Sequence, residues 1–300
     1  MMSSIGPLFD VNQLNAEQQK KFQTVYNELK AKYAAYLEYK QSLNLKTLLN
    51  SEEEENEWNY ELHRYLRARK WDVTNTIKSV QEMLQWRIDN KVDLVLEEQV
   101  TIQRTELLQK IIPSAYHGFT KAQRPLYVEK SGLVNVDKIL SHFTTEELLR
   151  CHVYWLELNC QRARERSRQS GQHIENFTMV LDLHGCSMDI RKIFPPFKQS
   201  IYIDNNYYPE RLGHMIIINP PSIFPVLWNI VKPWLDPVTK AKVLVVKKGP
   251  ETTTTLLQHI DADQLPVEYG GTCQSCPNTP NCVPVYDWGE ETPKEKSKKK

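Results

Sequence analysis

Three groups of residues in this chain have the residue types and the spacing of catalytic or metal-binding sites. Cys160 and Arg166 have the Cys-x5-Arg spacing of a phosphatase loop, in which a thiolate attacks phosphate held by backbone N–H groups. Asp182 and His184 lie two residues apart on a predicted strand, so they share one face and resemble part of a hydrolase triad. Three cysteines near the end of the chain offer soft ligands for a metal ion: Cys273, Cys276 and Cys282.

The elements around the two enzyme-like patterns do not suit catalysis. Cys160 falls inside a long predicted helix, and no glycine is present to shape a loop that would hold phosphate. The chain has no G-x-S-x-G nucleophile elbow to complete a triad, and neither of the glycine-rich nucleotide-binding motifs. We therefore interpret the Cys-x5-Arg match as chance and predict that the chain has no catalytic residues and is not an enzyme.

The cysteines fall one ligand short of a structural zinc site, which requires four. His259 is a possible fourth ligand, but its spacing from the cysteines is not a standard one. We therefore predict no metal ion, no cofactor and free thiols near the end of the chain. The first ten residues lack the charged and apolar regions of a signal peptide, which predicts a cytoplasmic protein with all six cysteines reduced.

Composition narrows the class of protein. The 300 residues are 40% hydrophobic and 25% charged, which is typical of a soluble globular protein of one large or two modest domains. The net charge of +1 argues against a nucleic-acid-binding protein, which would be strongly basic.

The first hundred residues predict a lobe made only of helices. Apolar residues from Phe22 to Leu37 recur on one face of a helix predicted over 15–41. Ser51 and Glu54 have the spacing of a capping box and predict the start of a second helix. A third amphipathic helix is predicted between residues 73 and 88. We place the helical lobe at residues 1–100, a second domain at 101–273 and an irregular Cys-, Pro- and Lys-rich tail at 274–300.

The second domain predicts an α/β fold. Strands are predicted at 124–130, 176–183, 215–218 and 243–246, the last two buried on both faces because they are continuously apolar. Helices are predicted at 144–166, starting from a Thr144–Glu147 capping box, and at 187–205, 222–231 and 253–260. Strands that alternate with helices indicate a largely parallel sheet with helical cover.

The helix at 222–231 has no clean polar face. Ser222 is placed to cap it, and Pro225 is acceptable in its first turn. A helix that is apolar all round is either buried in the core or in contact with lipid, and its own sequence leaves both open. A membrane-spanning segment over 214–231 is excluded, because the turn at Asn219, Pro220 and Pro221 divides it into pieces too short to span a bilayer.

Several ordered segments resemble the CRAL-TRIO lipid-exchange family, and most closely the fungal phosphatidylinositol/phosphatidylcholine transfer proteins. The resemblance covers residues from about 50 to 272. The blocks that carry it are YLRARKWDV at 65–73, RPLY at 124–127, LDLHG at 181–185, NYYPERLG at 206–213, IIN at 217–219, KPWLDPVT at 232–239 and LPVEYGG at 265–271.

This resemblance implies a CRAL-TRIO fold, in which a mixed sheet floors an apolar lipid pocket closed by a helical gate. It implies a phosphatidylinositol-binding transfer protein that acts at cytosolic membrane surfaces and is linked to phosphoinositide metabolism. We expect a monomer that contacts membranes transiently, carries phosphatidylinositol and a second lipid, and binds no nucleic acid. A CRAL-TRIO module for another hydrophobe, such as a sterol, acting as sensor or carrier, is the alternative.

The resemblance also assigns residues to the lipid headgroup. Arg69 and Lys70 stand where the family has an Arg-Lys pair that contacts the inositol phosphate, and Thr239 and Lys242 stand at its phosphate-binding positions. Glu210 matches the acidic residue of the family's YPER block. Arginine and lysine suit a phosphodiester because they supply charged donors. From its type alone, Glu210 is equally suited to an ion pair with Arg211.

The predicted pocket departs from the family at the position of the choline headgroup. Tyr116 and Tyr127 match pocket tyrosines, whereas Phe177 and Met179 replace two small hydroxyl residues, and Glu157 appears at the place of a further tyrosine. Phe177, Met179 and Leu181 alternate onto one strand face and are predicted to floor the pocket. The resemblance therefore supports phosphatidylinositol as a ligand, and the two substitutions predict exclusion of phosphatidylcholine.

The resemblance assigns the gate to the apolar helix at 222–231. Four of its residues lie at helical spacing and are the predicted moving face: Phe224, Leu227, Trp228 and Val231. If this face is partly exposed, Leu227→Asp should slow lipid exchange and leave the melting temperature nearly unchanged.

Overall fold

The computed structural model describes residues 6–46, 49–276 and 278–287. The lysines of the predicted tail, from Lys294 to Lys300, lie outside these residues. Nothing in the structure tests the predicted domain boundaries, which stay predictions.

The N-terminal region forms the predicted helical lobe. Its helices are α1 (Ala16–Ser42), α2 (Ser51–Ala68) and α3 (Val73–Asp89). Their apolar faces meet in one buried cluster that includes Phe22, Val25, Leu29, Tyr33, Trp58, Leu62, Tyr65, Leu66, Val80 and Met83. The predicted apolar face of α1 is confirmed by this cluster.

The capping box of α2 lies one residue earlier than predicted. The Asn50 side chain accepts hydrogen bonds from the N–H groups of Glu52 and Glu53, and the Glu53 carboxylate accepts one from the Asn50 N–H. Ser51 is therefore the first helical residue. Asparagine caps a helix as well as serine does, so the sequence pattern allowed both starts. Glu54 instead forms an ion pair with Lys40 of α1.

Five strands form one mixed sheet in the order β1-β2-β3-β4-β5. They are β1 (Ser114–Phe119), β2 (Pro125–Glu129), β3 (Phe177–Asp182), β4 (Leu212–Ile218) and β5 (Val243–Val245). β1 pairs antiparallel with β2, and every later pairing is parallel. The predicted largely parallel sheet is confirmed, and β1 is a strand that the sequence analysis did not predict.

Seven further helices accompany the sheet in the described part of the chain. They are α4 (Gln99–Ile111), α5 (Val136–His142), α6 (Thr145–Ser170), α7 (Phe194–Tyr207), α8 (Phe224–Val231), α9 (Pro237–Ala241) and α10 (Glu251–His259). The predicted Thr144–Glu147 capping box starts α6. The prediction for 187–205 was wrong at its start: Met188–Ile193 is a 3-10 helix, and Pro195 and Pro196 lie in the first turn of α7, where proline is tolerated.

One face of the sheet, the outer face, is closely packed against α10 and the segment that follows it. The apolar outer-face residues of the central strands are 0% exposed: Leu126, Val128, Val180, Ile216 and Ile218. They share a cluster with Leu256, Ile260 and Val283. The predicted burial of β5 was wrong, because β5 is an edge strand, and Leu244 and Val245 are 38% and 40% exposed. No helix in the described residues is long and apolar enough to cross a membrane.

Candidate functional site

The opposite face of the sheet, the inner face, carries the predicted pocket floor. Tyr127 pairs with Met179, which pairs with Met215, so these three side chains lie on the same face of adjacent strands. Leu181 lies on this face in register with Ile217. The register confirms that Met179 and Leu181 share a face, and Phe177 lies on that face because it begins the same strand two residues before Met179.

Aromatic rings cover one end of the inner face. Tyr116 meets Tyr127 at 5.0 Å between ring centroids, Tyr127 meets Trp155 of α6 at 5.2 Å, and Trp155 meets Phe177 at 4.9 Å. All three contacts are edge-to-face, the favoured geometry for such pairs. The Tyr116 hydroxyl and the Trp155 indole N–H are buried without a hydrogen-bond partner in the described residues. Polar atoms of a ligand would satisfy these two groups.

Glu157 does not line this end of the inner face, contrary to the prediction. Its carboxylate accepts hydrogen bonds from Arg87 at 2.7 Å and from the Tyr208 hydroxyl at 2.5 Å. Burial alone would raise the pKa of Glu157, but the Arg87 charge and these hydrogen bonds outweigh it and hold that pKa at about 2. Trp155, two residues earlier on α6, is the residue that contacts Tyr127 and Phe177. Two residues turn a helix by roughly 200°, so the two side chains point to opposite sides.

The two faces of the sheet are packed differently, and we call the less tightly covered region, between the inner face and the helices α7 and α8, the apolar cleft. On the inner face, apolar side chains of three adjacent strands remain partly exposed although helices lie over them: Met179, Leu181, Met215 and Val243. Leu181, Met215 and Val243 pack against the same buried cluster as Phe194 of α7 and Phe224 of α8. Close packing leaves few voids in a protein interior, so accessible apolar side chains between sheet and helices indicate room for an apolar ligand.

The helix α8 begins later than predicted. Ile223 precedes its first residue, Phe224, and no side chain caps it, so the predicted cap at Ser222 is wrong. The Phe224 N–H instead donates to the Pro221 carbonyl at 2.9 Å, which places Ser222 inside a turn. Pro225 lies in the first turn, as predicted.

Two residues of the predicted gate face of α8, Phe224 and Leu227, pack toward the sheet. Leu227 is 6% exposed and packs with Leu183, Cys186 and Ile217. Phe224 and Trp228 stack on each other at 6.0 Å and, with Val231, are only partly exposed. The expectation that Leu227 has a partly exposed environment is therefore wrong. The outward side is formed by Pro225, Val226 and Asn229 instead.

Three of the predicted headgroup residues lie near the N-terminal end of β4 and the helix α9. The Lys242 ammonium group forms an ion pair with the Glu210 carboxylate at 2.7 Å, and both side chains are partly exposed. The Thr239 hydroxyl donates to the carboxylate of Asp236, which also caps α9. Arg211 pairs with Glu61 of α2 at 2.9 Å, so Glu210 and Arg211 do not form the ion pair that their types allowed.

Arg69 and Lys70 lie at the C-terminal end of α2. Arg69 donates to the Ser79 hydroxyl at 2.9 Å and to the Asn205 carbonyl of α7 at 3.5 Å. Asn205 in turn donates to the Trp234 carbonyl at 3.2 Å, so α7 connects Arg69 with the segment that leads to α9. Lys70 is exposed and has no ion-pair partner among the described residues.

Two of these candidates have unusual backbone conformations. Lys70 and Glu210 have φ angles of 54° and 61°, in the left-handed region that residues other than glycine seldom adopt. Such conformations occur often at ligand-binding sites, where surrounding contacts hold them. The assignment of the five headgroup residues stays a prediction.

The two enzyme-like patterns are held in structural roles. The Asp182 carboxylate accepts hydrogen bonds from the His184 N–H, the Asn219 amide and the Tyr269 hydroxyl. Cys160 lies buried within α6, and burial raises the pKa of its thiol. A buried thiol with a raised pKa is a poor nucleophile.

Two regions of the chain match models of known protein families. A family model described as "CRAL/TRIO domain" matches residues 110–271, and one described as "CRAL/TRIO, N-terminal domain" matches residues 25–82. The chain belongs to the CRAL/TRIO family. The two matched regions correspond to the sheet domain and to the helical lobe. The family predicted from the ordered sequence blocks is thus confirmed.

Named relatives in plants and fungi match most of the chain. The "Phosphatidylinositol/phosphatidylcholine transfer protein SFH9" of Arabidopsis thaliana is 35% identical over 73% of this chain, which spans only 38% of that protein. A "CRAL-TRIO domain-containing protein" of Saccharomyces cerevisiae is 36% identical, with 70% of each chain covered. The "SEC14 cytosolic factor" of Eremothecium gossypii is 34% identical over 70% of this chain and 68% of its own length.

A solved structure supports the fold of this CRAL/TRIO chain. The crystal structure of Sfh5 superposes with a TM-score of 0.65 at 19% sequence identity. The superposition covers 85% of this chain and 88% of Sfh5. At this level of identity the likeness concerns the fold alone.

Proposed function

We propose that this protein binds a phosphatidylinositol monomer and exchanges it at cytosolic membrane surfaces, in support of phosphoinositide metabolism. The observation that carries the proposal is the apolar cleft between the inner face of the sheet and α8. The names of the plant relatives, which are phosphatidylinositol/phosphatidylcholine transfer proteins, support it. Binding and exchange are non-covalent, so the proposal requires no catalytic residue.

The acyl chains of the lipid would occupy the cleft. A diacyl lipid has about 30 methylenes, each stabilised by about 0.8 kcal/mol out of water, or roughly 24 kcal/mol in total. Release into water at that cost is too slow to be useful, so the cleft must open against a bilayer. α8 covers the cleft and has an exposed apolar residue, Val226, on its outward side. Phe197 of α7 is exposed as well, and the two helices would present apolar area to the membrane.

The inositol phosphate would bind between the C-terminal end of α2 and the α9 region. Lys70 is exposed and unpaired among the described side chains, and Lys242 is held by Glu210 at 2.7 Å. We expect the phosphodiester to recruit both ammonium groups, and Glu210 to accept hydrogen bonds from inositol hydroxyls. Arg69 and Thr239 would contribute further donors once their present partners are exchanged for the ligand.

Native mass spectrometry tests the identity of the ligand. The full chain is expressed in a eukaryotic host that synthesises phosphatidylinositol, and the intact protein is compared with its denatured form. We expect a mass increase equal to phosphatidylinositol species, with the lipid recovered in the organic extract. A bound sterol, or another hydrophobe in its place, would contradict the proposal and favour the alternative of a carrier for a different ligand.

A transfer assay tests the residues. The double variant Lys70→Ala with Lys242→Ala should abolish transfer of labelled phosphatidylinositol between vesicles and leave the melting temperature within about 2 °C, since both side chains are at least partly exposed. Lys240→Ala is the matched control, because it removes a charge from the same segment at a position outside the proposed site. Normal transfer by the double variant would refute the headgroup assignment.

A further inference from the structure

The fold brings the C-terminal cysteines to a histidine of the unpredicted strand β1. His117 lies in β1 and is 5% exposed, and Cys273 and Cys282 are each 1% exposed. Potential ligand atoms of these three residues all lie within 4.8 Å of one another. A tetrahedral zinc ion with sulfur and nitrogen ligands holds those atoms about 3.5–3.8 Å apart. A small contraction of this cluster would therefore suffice to bind zinc.

The hydrogen bonding of His117 prepares it as a metal ligand. Its Nδ1 lies 2.8 Å from the carbonyl oxygen of Gln264, which can only accept, so Nδ1 carries the proton. Nε2 then has a free lone pair, and it is buried with no hydrogen-bond partner in the described residues. A histidine that donates one ring N–H to a carbonyl and offers its other nitrogen to the ion is the usual arrangement in metal sites.

Cys276, which is partly exposed, is the further cysteine available as a fourth ligand. The Thr279 hydroxyl lies 3.9 Å from the Cys273 sulfur and 3.7 Å from the Cys282 sulfur. The Thr279 N–H donates to the Cys276 carbonyl at 3.0 Å, so the turn that contacts both buried thiols begins at Cys276. The Cys-x2-Cys spacing of 273 and 276 is common among structural zinc sites.

We propose that His117, Cys273, Cys276 and Cys282 bind one Zn²⁺ ion. Three thiolates and an imidazole match a structural zinc site in both number and softness. The sequence analysis predicted no metal because a fourth ligand was missing and His259 had an unsuitable spacing. In the structure His259 lies against His214, with ring centroids 5.2 Å apart, and His117 takes the fourth position from a strand more than 150 residues away.

The ion would fasten the end of the chain to the outer face of the sheet. Val283, the next residue after the last cysteine ligand, is fully buried in the outer-face cluster. Its carbonyl oxygen accepts a hydrogen bond from the buried Lys130 at 2.8 Å. The free energy of metal binding adds to the stability of any structure that assembles the ligands. The site therefore stabilises the side of the sheet remote from the lipid cleft, and the proposal does not depend on lipid transfer.

Metal analysis of the full chain, purified with a reductant and without chelators, tests the proposal. We expect inductively coupled plasma mass spectrometry to find about one zinc ion per chain. His117→Ala and Cys282→Ser should each lower the zinc content at least tenfold. Cys151→Ser is the matched control, because it replaces another buried cysteine at a distance from the site and should keep the zinc.

A second measurement uses the natural sequence, so it does not depend on whether the variants fold. Zinc is removed with a chelator under reducing conditions, and Co²⁺ is then added. We expect the thiolate-to-cobalt charge-transfer band and the visible bands of a tetrahedral site, together with recovery of the melting temperature lost on zinc removal. Natural protein without zinc and without these bands would overturn the proposal. A disulfide between two of the three cysteines, detected by the loss of two hydrogens in the intact mass, would also overturn it.

Discussion

A negative charge at two adjacent positions of α8 is expected to have different effects: at one position it should slow lipid exchange, and at the other it should lower the stability of the fold. Val226 is 53% exposed on the outward side of the helix, whereas Leu227 is 6% exposed against Leu183 and Ile217. Val226→Asp and Leu227→Asp therefore place the same group in two environments separated by one helical position. If α8 is the gate, the outward charge should act on exchange and the inward charge on stability.

The structure gives the magnitude for each position. Removing a buried leucine side chain costs about 2–5 kcal/mol, and an unpaired carboxylate in its place adds a desolvation penalty. At about 2–4 °C per kcal/mol, Leu227→Asp should lower the melting temperature by roughly 5–15 °C. Val226→Asp changes an exposed position, so the cost should stay within about 0.5 kcal/mol and the melting temperature within about 2 °C.

Lipid exchange is measured as transfer of labelled phosphatidylinositol between vesicles. Entry of the Val226 side into the bilayer interface is driven by apolar area, and a carboxylate there should raise the barrier by about 1 kcal/mol, or about fivefold in rate. Val226→Thr is the control, because it keeps the shape and adds no charge. Transfer by Val226→Asp at the natural rate would show that this side of α8 does not enter the membrane. A normal melting temperature for Leu227→Asp would show that position 227 is not part of the core.

Two further predictions concern specificity and pH. Transfer of labelled phosphatidylcholine should be weak, because Phe177 packs against Trp155 at 4.9 Å and unsatisfied headgroup atoms cost about 1–3 kcal/mol each. Phe177→Ser with Met179→Thr should increase that transfer, and strong transfer by the natural protein would contradict the exclusion. In the folded state the pKa of the Glu157 carboxyl is lowered from 4.5 to about 2, because Arg87 and the hydrogen bonds outweigh the effect of burial. The ionised carboxylate therefore stabilises the fold above pH 4.5. About 3 kcal/mol should be lost as the pH falls from about 4.5 to about 2. Urea unfolding at pH 5 and pH 3 should show a smaller loss for Glu157→Gln, and an equal loss would assign the acid sensitivity to other groups.

The sequence determined the features that depend on neighbouring residues. The spacing of Phe22, Val25 and Leu29 located α1, and the Thr144–Glu147 pair located the start of α6. Alternation placed Phe177, Met179 and Leu181 on one face of β3. These features repeat with the period of a helix or a strand, so a short window contains them completely. The ordered motifs added the family, which the matches to both CRAL/TRIO regions confirm.

Only the tertiary structure determines which face of a helix or strand contacts the rest of the fold and which face is exposed. An apolar helix at 222–231 was evident, but the sequence could not tell that Leu227 faces the sheet while Val226 faces outward. Continuous apolar residues predicted a buried β5, yet Leu244 and Val245 are exposed because β5 is the last strand of the sheet in the described part of the chain. Glu157 was assigned to the pocket, and only the opposite directions of Glu157 and Trp155 on α6 showed which of them reaches the sheet.

The candidate metal site shows most clearly which features follow from the sequence and which depend on the tertiary structure. The three cysteines and their spacing were visible in the sequence, but the fourth ligand was not, because β1 was unpredicted and His117 is distant along the chain. The pairing of β1 with β2, and the packing of the segment after α10 against the sheet, bring His117 to the cysteines. Local periodicity specifies the direction of a side chain relative to its own element. Which distant side chain it meets depends on strand order and packing, and these are properties of the whole fold.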